Sequence, residues 1–136
     1  MNKFMKVVSV GATVITLALA GATNSQAASG DGTAYASGSA GKAHFQAYGE
    51  IFTVYDLKKD GHSAIGILSF GSASSNYYYW DRNGSGTSVK HDLSIAEGTP
   101  LHIWSCLGDW DGTVTGGLHW ETGCSPSTWP GTSVWA

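Results

Sequence analysis

From residue 43 to its C-terminus the chain is cut into short β-branched and aromatic runs by turn residues. No window repeats apolar positions at helical spacing. Ala43 to Tyr48 alternates and stops at Gly49. Ile51–Tyr55 follows, with Phe52 and Val54 on one face, and Asp56 to Gly61 makes a turn that ends in Asp-Gly. Ser63–Phe70, Tyr77–Trp80, Ser88–Ile95 and Leu101–Cys106 read as further strands. The tail holds one or two more, around Gly117–Thr122 and Thr132–Trp135. Seventeen glycines after residue 27 argue further against helices. Seven or eight short strands at this spacing predict an all-β fold, a small antiparallel β-sandwich.

The N-terminus reads differently. Lys3 and Lys6 precede an apolar run from Val7 to about Ala20, and Ser25-Gln26-Ala27 fits a small-x-small cleavage site. This is the layout of a secretory signal peptide over residues 1–27. The apolar run falls short of the roughly 20 residues a spanning helix needs. Export is therefore expected, with a secreted, extracellular product of 109 residues. Its five basic residues face ten acidic ones, net −5. Nucleic acid and anionic membranes are poor partners for such a domain, because phosphate binding draws on clustered Lys and Arg.

Cys106 and Cys124 both follow the leader, so an oxidising compartment predicts one disulfide between them. It encloses 17 residues, a constraint of roughly 3 kcal/mol in the chain-entropy model. Residues 28–43 are dominated by Gly, Ala and Ser, with Tyr35 the one large side chain. Their composition predicts a flexible arm ahead of a domain at 44–136. The same arm could instead order as an added strand on a partner, anchored by Tyr35.

No catalytic set is legible. A Gly-x-Ser-x-Gly elbow and a His-Glu-x-x-His pair are both missing, and Ser63 next to His62 would point to the opposite face of a strand. His44, His62, His91, His102 and His119 fall one to a segment, and a metal site would need three of them to converge. Asp56 with Asp60, and Asp109 with Asp111, sit in turns. They lack the ligand count of an EF-hand calcium loop, and Asp builds turns without metal. A glycosidase pair among Asp109, Asp111 and Glu121 is possible in principle, but so small a domain implies no deep cleft for it. The expectation is a non-enzyme with no metal and no cofactor.

The surplus is aromatic: six tryptophans and six tyrosines, all after residue 27. Trp80 or Trp104 is expected against the disulfide. Trp110, Trp129 and Trp135 lie in turn-like or terminal contexts, and Tyr77-Tyr78-Tyr79 must expose at least one ring by alternation. Tyr35, Tyr78, Trp110, Trp129 and Trp135 are the candidate partner-binding residues.

Several runs carry a resemblance. They are Gly49-Glu50-x-Phe52-x-Val54-x-Asp56-x-x-x-Asp60-Gly61-His62-Ser63-Ala64, Trp80-Asp81-x-x-Gly84-x-Gly86-Thr87, Leu93-Ser94-x-x-Glu97-Gly98-Thr99, Cys106-Leu107-Gly108-Asp109 and Cys124-Ser125. Across residues 43–125 the chain resembles small secreted β-sandwich proteins of Streptomyces and related actinobacteria, among them the adaptor subunits of umbrella toxin particles. That resemblance implies an antibacterial toxin complex in which an N-terminal strand of the adaptor links a lectin-like subunit to a large stalk. The segment Gly112–Trp120 and the Trp-rich tail depart from the pattern, and no site residue transfers. The leading expectation is a protein-binding module, such as an adaptor. A carbohydrate- or cell-wall-binding domain that stacks sugars on Trp110, Trp129 or Trp135 is the alternative. A secreted hydrolase inhibitor that presents the 106–124 loop is another.

Overall fold

The computed structural model describes residues 30–70, 75–125 and 131–136. The expected signal peptide and Trp129 lie outside the described residues. Eight strands form two antiparallel four-stranded sheets. The first runs in the order β1 (Gly32–Tyr35), β2 (Gly41–Gln46), β3 (Ile51–Asp56), β6 (Ser88–Asp92). The second runs β5 (Asn76–Asp81), β4 (Ser63–Phe70), β7 (Pro100–Gly108), β8 (Thr132–Trp135). The expected sandwich is therefore present.

Alternation places the core between the sheets. Ala43, Phe45, Phe52 and Val54 face Ala64, Leu68, Leu101, Ile103 and Val134, all buried. Each large side chain of this set contributes about 1.5–3 kcal/mol on leaving water.

Residues 28–43 are not a free arm over their described part. Gly32–Tyr35 pair with Lys42–Phe45 in register as β1, and a 3-10 turn at Ser37–Ser39 leads into β2. The small side chains here serve close packing. A Cβ on Gly32 would lie 2.2 Å from Val134 Cγ1 of the opposite sheet. Ala34, Ala36 and Ala40 are buried. The Trp135 N–H donates to the Gly30 carbonyl at 3.0 Å, which ties the edge of one sheet to the other. The domain boundary expected at residue 43 therefore falls inside a strand.

The tail differs too. Gly117–Thr122, expected as a strand, gives one bridge at Leu118 and then a four-residue helix, α1 (Trp120–Gly123). Leu118 pairs only with Gly108, at the end of β7, and has no second residue pair to extend the ladder. Among the described residues, no helix is long and apolar enough to cross a membrane.

A disulfide-pinned face as candidate functional site

The site begins with what covers the outer face of the second sheet. Ile65, Ile67, Trp104 and Cys106 point away from the main core, yet all are buried. The cover is the excursion from Asp109 to Ser125. Ser105 pairs with Ser125, and Cys106 and Cys124, the next residues along, are joined by the expected disulfide. At the other end Gly108 pairs with Leu118. Trp104 and Trp80 both pack with the disulfide in this second cluster. A disulfide marks an oxidising setting for the folded chain.

Around this cover lies a belt of aromatic side chains. Trp80 donates its indole N–H to the Val114 carbonyl at 2.9 Å, which holds the excursion down. The Trp80 ring meets Trp110 edge-on at 5.1 Å. The Arg82 guanidinium lies over the Trp110 ring, 4.4 Å from its centre. Trp120 on α1 reaches Trp104 at 6.1 Å. Trp110 and Trp120 remain 36% and 37% exposed, and Val114 is exposed beside them. The belt is thus apolar, ordered and open to solvent.

At one margin sits a polar cluster. His62, before β4, lies with Nδ1 2.8 Å from Asp109 Oδ1, close enough for its Nδ1–H to donate to the carboxylate. His119 Nε2 lies 3.2 Å from Asp109 Oδ2. The hydrogen bond to Asp109 raises the His62 pKa, and the bond to His62 holds the Asp109 carboxyl below its usual range. The histidines are therefore not all isolated, as their scatter along the chain suggests: two of the five converge on one carboxylate.

The other turn carboxylates are committed locally. Asp60 Oδ1 accepts the His62 N–H, and Asp111 Oδ1 accepts both the backbone N–H and hydroxyl of Thr113. Asp56 is buried and accepts from the Lys58 N–H. Burial raises the Asp56 pKa. Glu121 stands exposed on α1.

The candidate aromatic residues separate into three places. Tyr78 and Trp110 belong to the belt, Tyr78 half-buried on its apolar cluster. Tyr35 is exposed on the outer face of the first sheet, beside Lys42, whose ammonium lies over Tyr55. Trp135 lines an apolar cleft at one end of the sandwich with Gly30, Ala47, Tyr48, Glu97, Gly98 and Ala136. Tyr48 there is 90% exposed. Tyr77 supplies the exposed ring expected of the tyrosine run. Sequence reasoning missed Arg82, Trp120, His62 and His119. Strand register was the signal that could have found His62: it precedes Ser63, which pairs with Gly108, so it falls opposite Asp109.

No family model matches the chain, nor does any curated protein or solved structure.

Proposed function

We propose that this chain is a secreted, non-enzymatic protein-binding module whose contact surface is the disulfide-pinned face. The observation that carries this reading is the Arg82–Trp110–Trp80 stack beside the exposed Val114 and Trp120. Arg and Trp are enriched where protein interfaces concentrate binding energy, above all when their rotamers are already fixed. Here the disulfide and the Trp80–Val114 hydrogen bond fix them. The acidic balance of residues 28–136 favours a partner with a basic or apolar contact surface.

The same stack argues against sugar stacking at Trp110, because Arg82 already occupies one face of the indole. An adaptor role in an antibacterial toxin complex is one form of this reading. Because Gly32–Tyr35 is paired within the fold, that form rests on the disulfide-pinned face and draws no support from a free Gly/Ala/Ser arm.

The test is affinity capture from culture supernatant of the source cells with the tagged chain, followed by binding assays with the purified partner. Wild type should retain a stoichiometric partner. Trp110→Ala and Arg82→Ala should each weaken it by roughly tenfold or more, as at interface hot spots. A partner held equally by both variants overturns this contact surface. Retention of no partner, with tryptophan fluorescence that responds to chitin or peptidoglycan fragments, moves the assignment to the carbohydrate class.

A further inference from the structure

Three chain segments meet at one corner of the second sheet. Ser63 pairs with Gly108, and Gly108 pairs with Leu118. His62 and Asp109 lie one residue beyond that row on one side, and His119 lies one residue to its other side, diagonal to Asp109. The backbone holds them there. The Asp109 N–H donates to the Gly117 carbonyl at 2.9 Å, the His119 N–H donates to the Leu107 carbonyl at 3.0 Å, and the disulfide closes the excursion behind them. His62 is held by the bond from its own N–H to Asp60 Oδ1 at 3.0 Å.

The geometry points to a divalent transition-metal site of the zinc class, with His62 Nδ1, an Asp109 carboxylate oxygen and His119 Nε2 as ligands. Their donor atoms all lie within 4.8 Å of one another. A tetrahedral ion with bonds of 2.0–2.1 Å separates its ligands by about 3.3 Å. All three side chains are partly exposed and so have room to turn toward a shared ion. The two imidazoles meet edge-on, ring centres 5.0 Å apart, both aimed at one carboxylate. Without metal each must place a proton toward Asp109 to bond it. One dication replaces both protons.

Two imidazoles and a carboxylate suit Zn2+, Ni2+ or Cu2+, whereas Ca2+ and Mg2+ take all-oxygen sets. The side chains of His62, Asp109 and His119 are 38%, 58% and 33% exposed. An ion can therefore enter from solvent and keep an open position for water or for a ligand from a partner. This inference is independent of the proposed contact surface, because it concerns the isolated chain.

Calorimetric titration of the untagged, chelator-stripped chain with ZnCl2 tests it. The expected result is saturable binding of one ion per chain, with Co2+ giving the visible absorption of a nitrogen-ligated site. Zinc should raise the melting temperature, and Ca2+ should leave it unmoved. His62→Ala and His119→Ala should each weaken zinc binding more than the roughly tenfold seen for loss of a partner behind a ligand. His44→Gln, in the other sheet, should bind as wild type. Each variant's metal-free melting temperature confirms folding. A flat zinc titration of the wild type overturns the site and leaves a hydrogen-bonded cluster. Zinc binding undiminished in both alanine variants overturns it equally.

Discussion

The two faces of the β5-β4-β7-β8 sheet bury comparable side chains by different means. On the inner face Ala64, Leu68, Leu101 and Ile103 meet a second sheet whose strands alternate to match them. On the outer face Ile65, Ile67 and Trp104 meet an excursion with little regular structure, held by a disulfide, isolated bridges at Leu118 and Ser125 and a tryptophan hydrogen bond. One face is closed by the cooperative pairing of whole strands. The other is closed by a few local ties and leaves aromatic edges exposed. The fold's stability should therefore reside mainly on the inner face, and its recognition chemistry on the outer.

The largest effect should come from the inner face. Phe52 is fully buried and meets Tyr79 edge-on at 5.4 Å. Phe52→Ala should cost about 3–5 kcal/mol, read as a fall in the denaturant midpoint for the whole domain. The next should be removal of the disulfide. The double variant Cys106→Ala/Cys124→Ala should lose roughly 3 kcal/mol, but unevenly. Hydrogen exchange should accelerate first across residues 109–125, while β2 and β3 keep their protection. Equal acceleration in β2 and β3 would show that the two faces form one cooperative unit and would break the comparison.

The inner face was legible in the sequence, and the outer face only at its disulfide and the tryptophan beside it. Phe52 and Val54, or Leu101 and Ile103, announce a buried face through their alternation. Residues 28–43 misled because Gly and Ala are ambiguous. The same composition serves a solvated linker or a strand that must approach a neighbour closely, and the clash awaiting a Cβ at Gly32 shows the second use. The cysteine pair and the nearby Trp104 were legible because two cysteines allow a single pairing. His62, Asp109 and His119 were not, since their meeting depends on the register between β4 and β7 and on the Gly108–Leu118 bridge. No local periodicity encodes that second pairing.

Gly108→Ala addresses the joint between the faces and should have a smaller effect. A Cβ there would lie 2.6 Å from the Gly117 carbonyl oxygen and 2.9 Å from both Ile65 and Trp80 side-chain atoms. The excursion must lift, at a cost of about 1–3 kcal/mol. Circular dichroism from the Trp80–Trp110 pair should weaken, while the denaturant slope stays that of a single folded domain. An unchanged aromatic spectrum would mean that the excursion adapts without moving its tryptophans.

The smallest effect is a pH dependence that originates on the inner face. His91 pairs with Phe52 at the edge of the first sheet, its ring 4.3 Å from that of Tyr79. Its Nε2 is buried without a hydrogen-bond partner among the described residues, and desolvation lowers its pKa. Because the folded value lies below 6.5, the unfolded chain takes up the proton first as pH falls. His91 therefore leaves stability undiminished above 6.5 and subtracts from it progressively below, down to its lowered folded value. Melting temperature followed against pH for wild type and His91→Gln isolates this contribution, since other titrating groups cancel in the difference. Wild type should lose more stability than the variant between neutral and mildly acidic pH. Parallel curves would mean that solvent reaches the ring as the edge between β5 and β6 opens, so that the inner face is less tightly sealed there than at its centre.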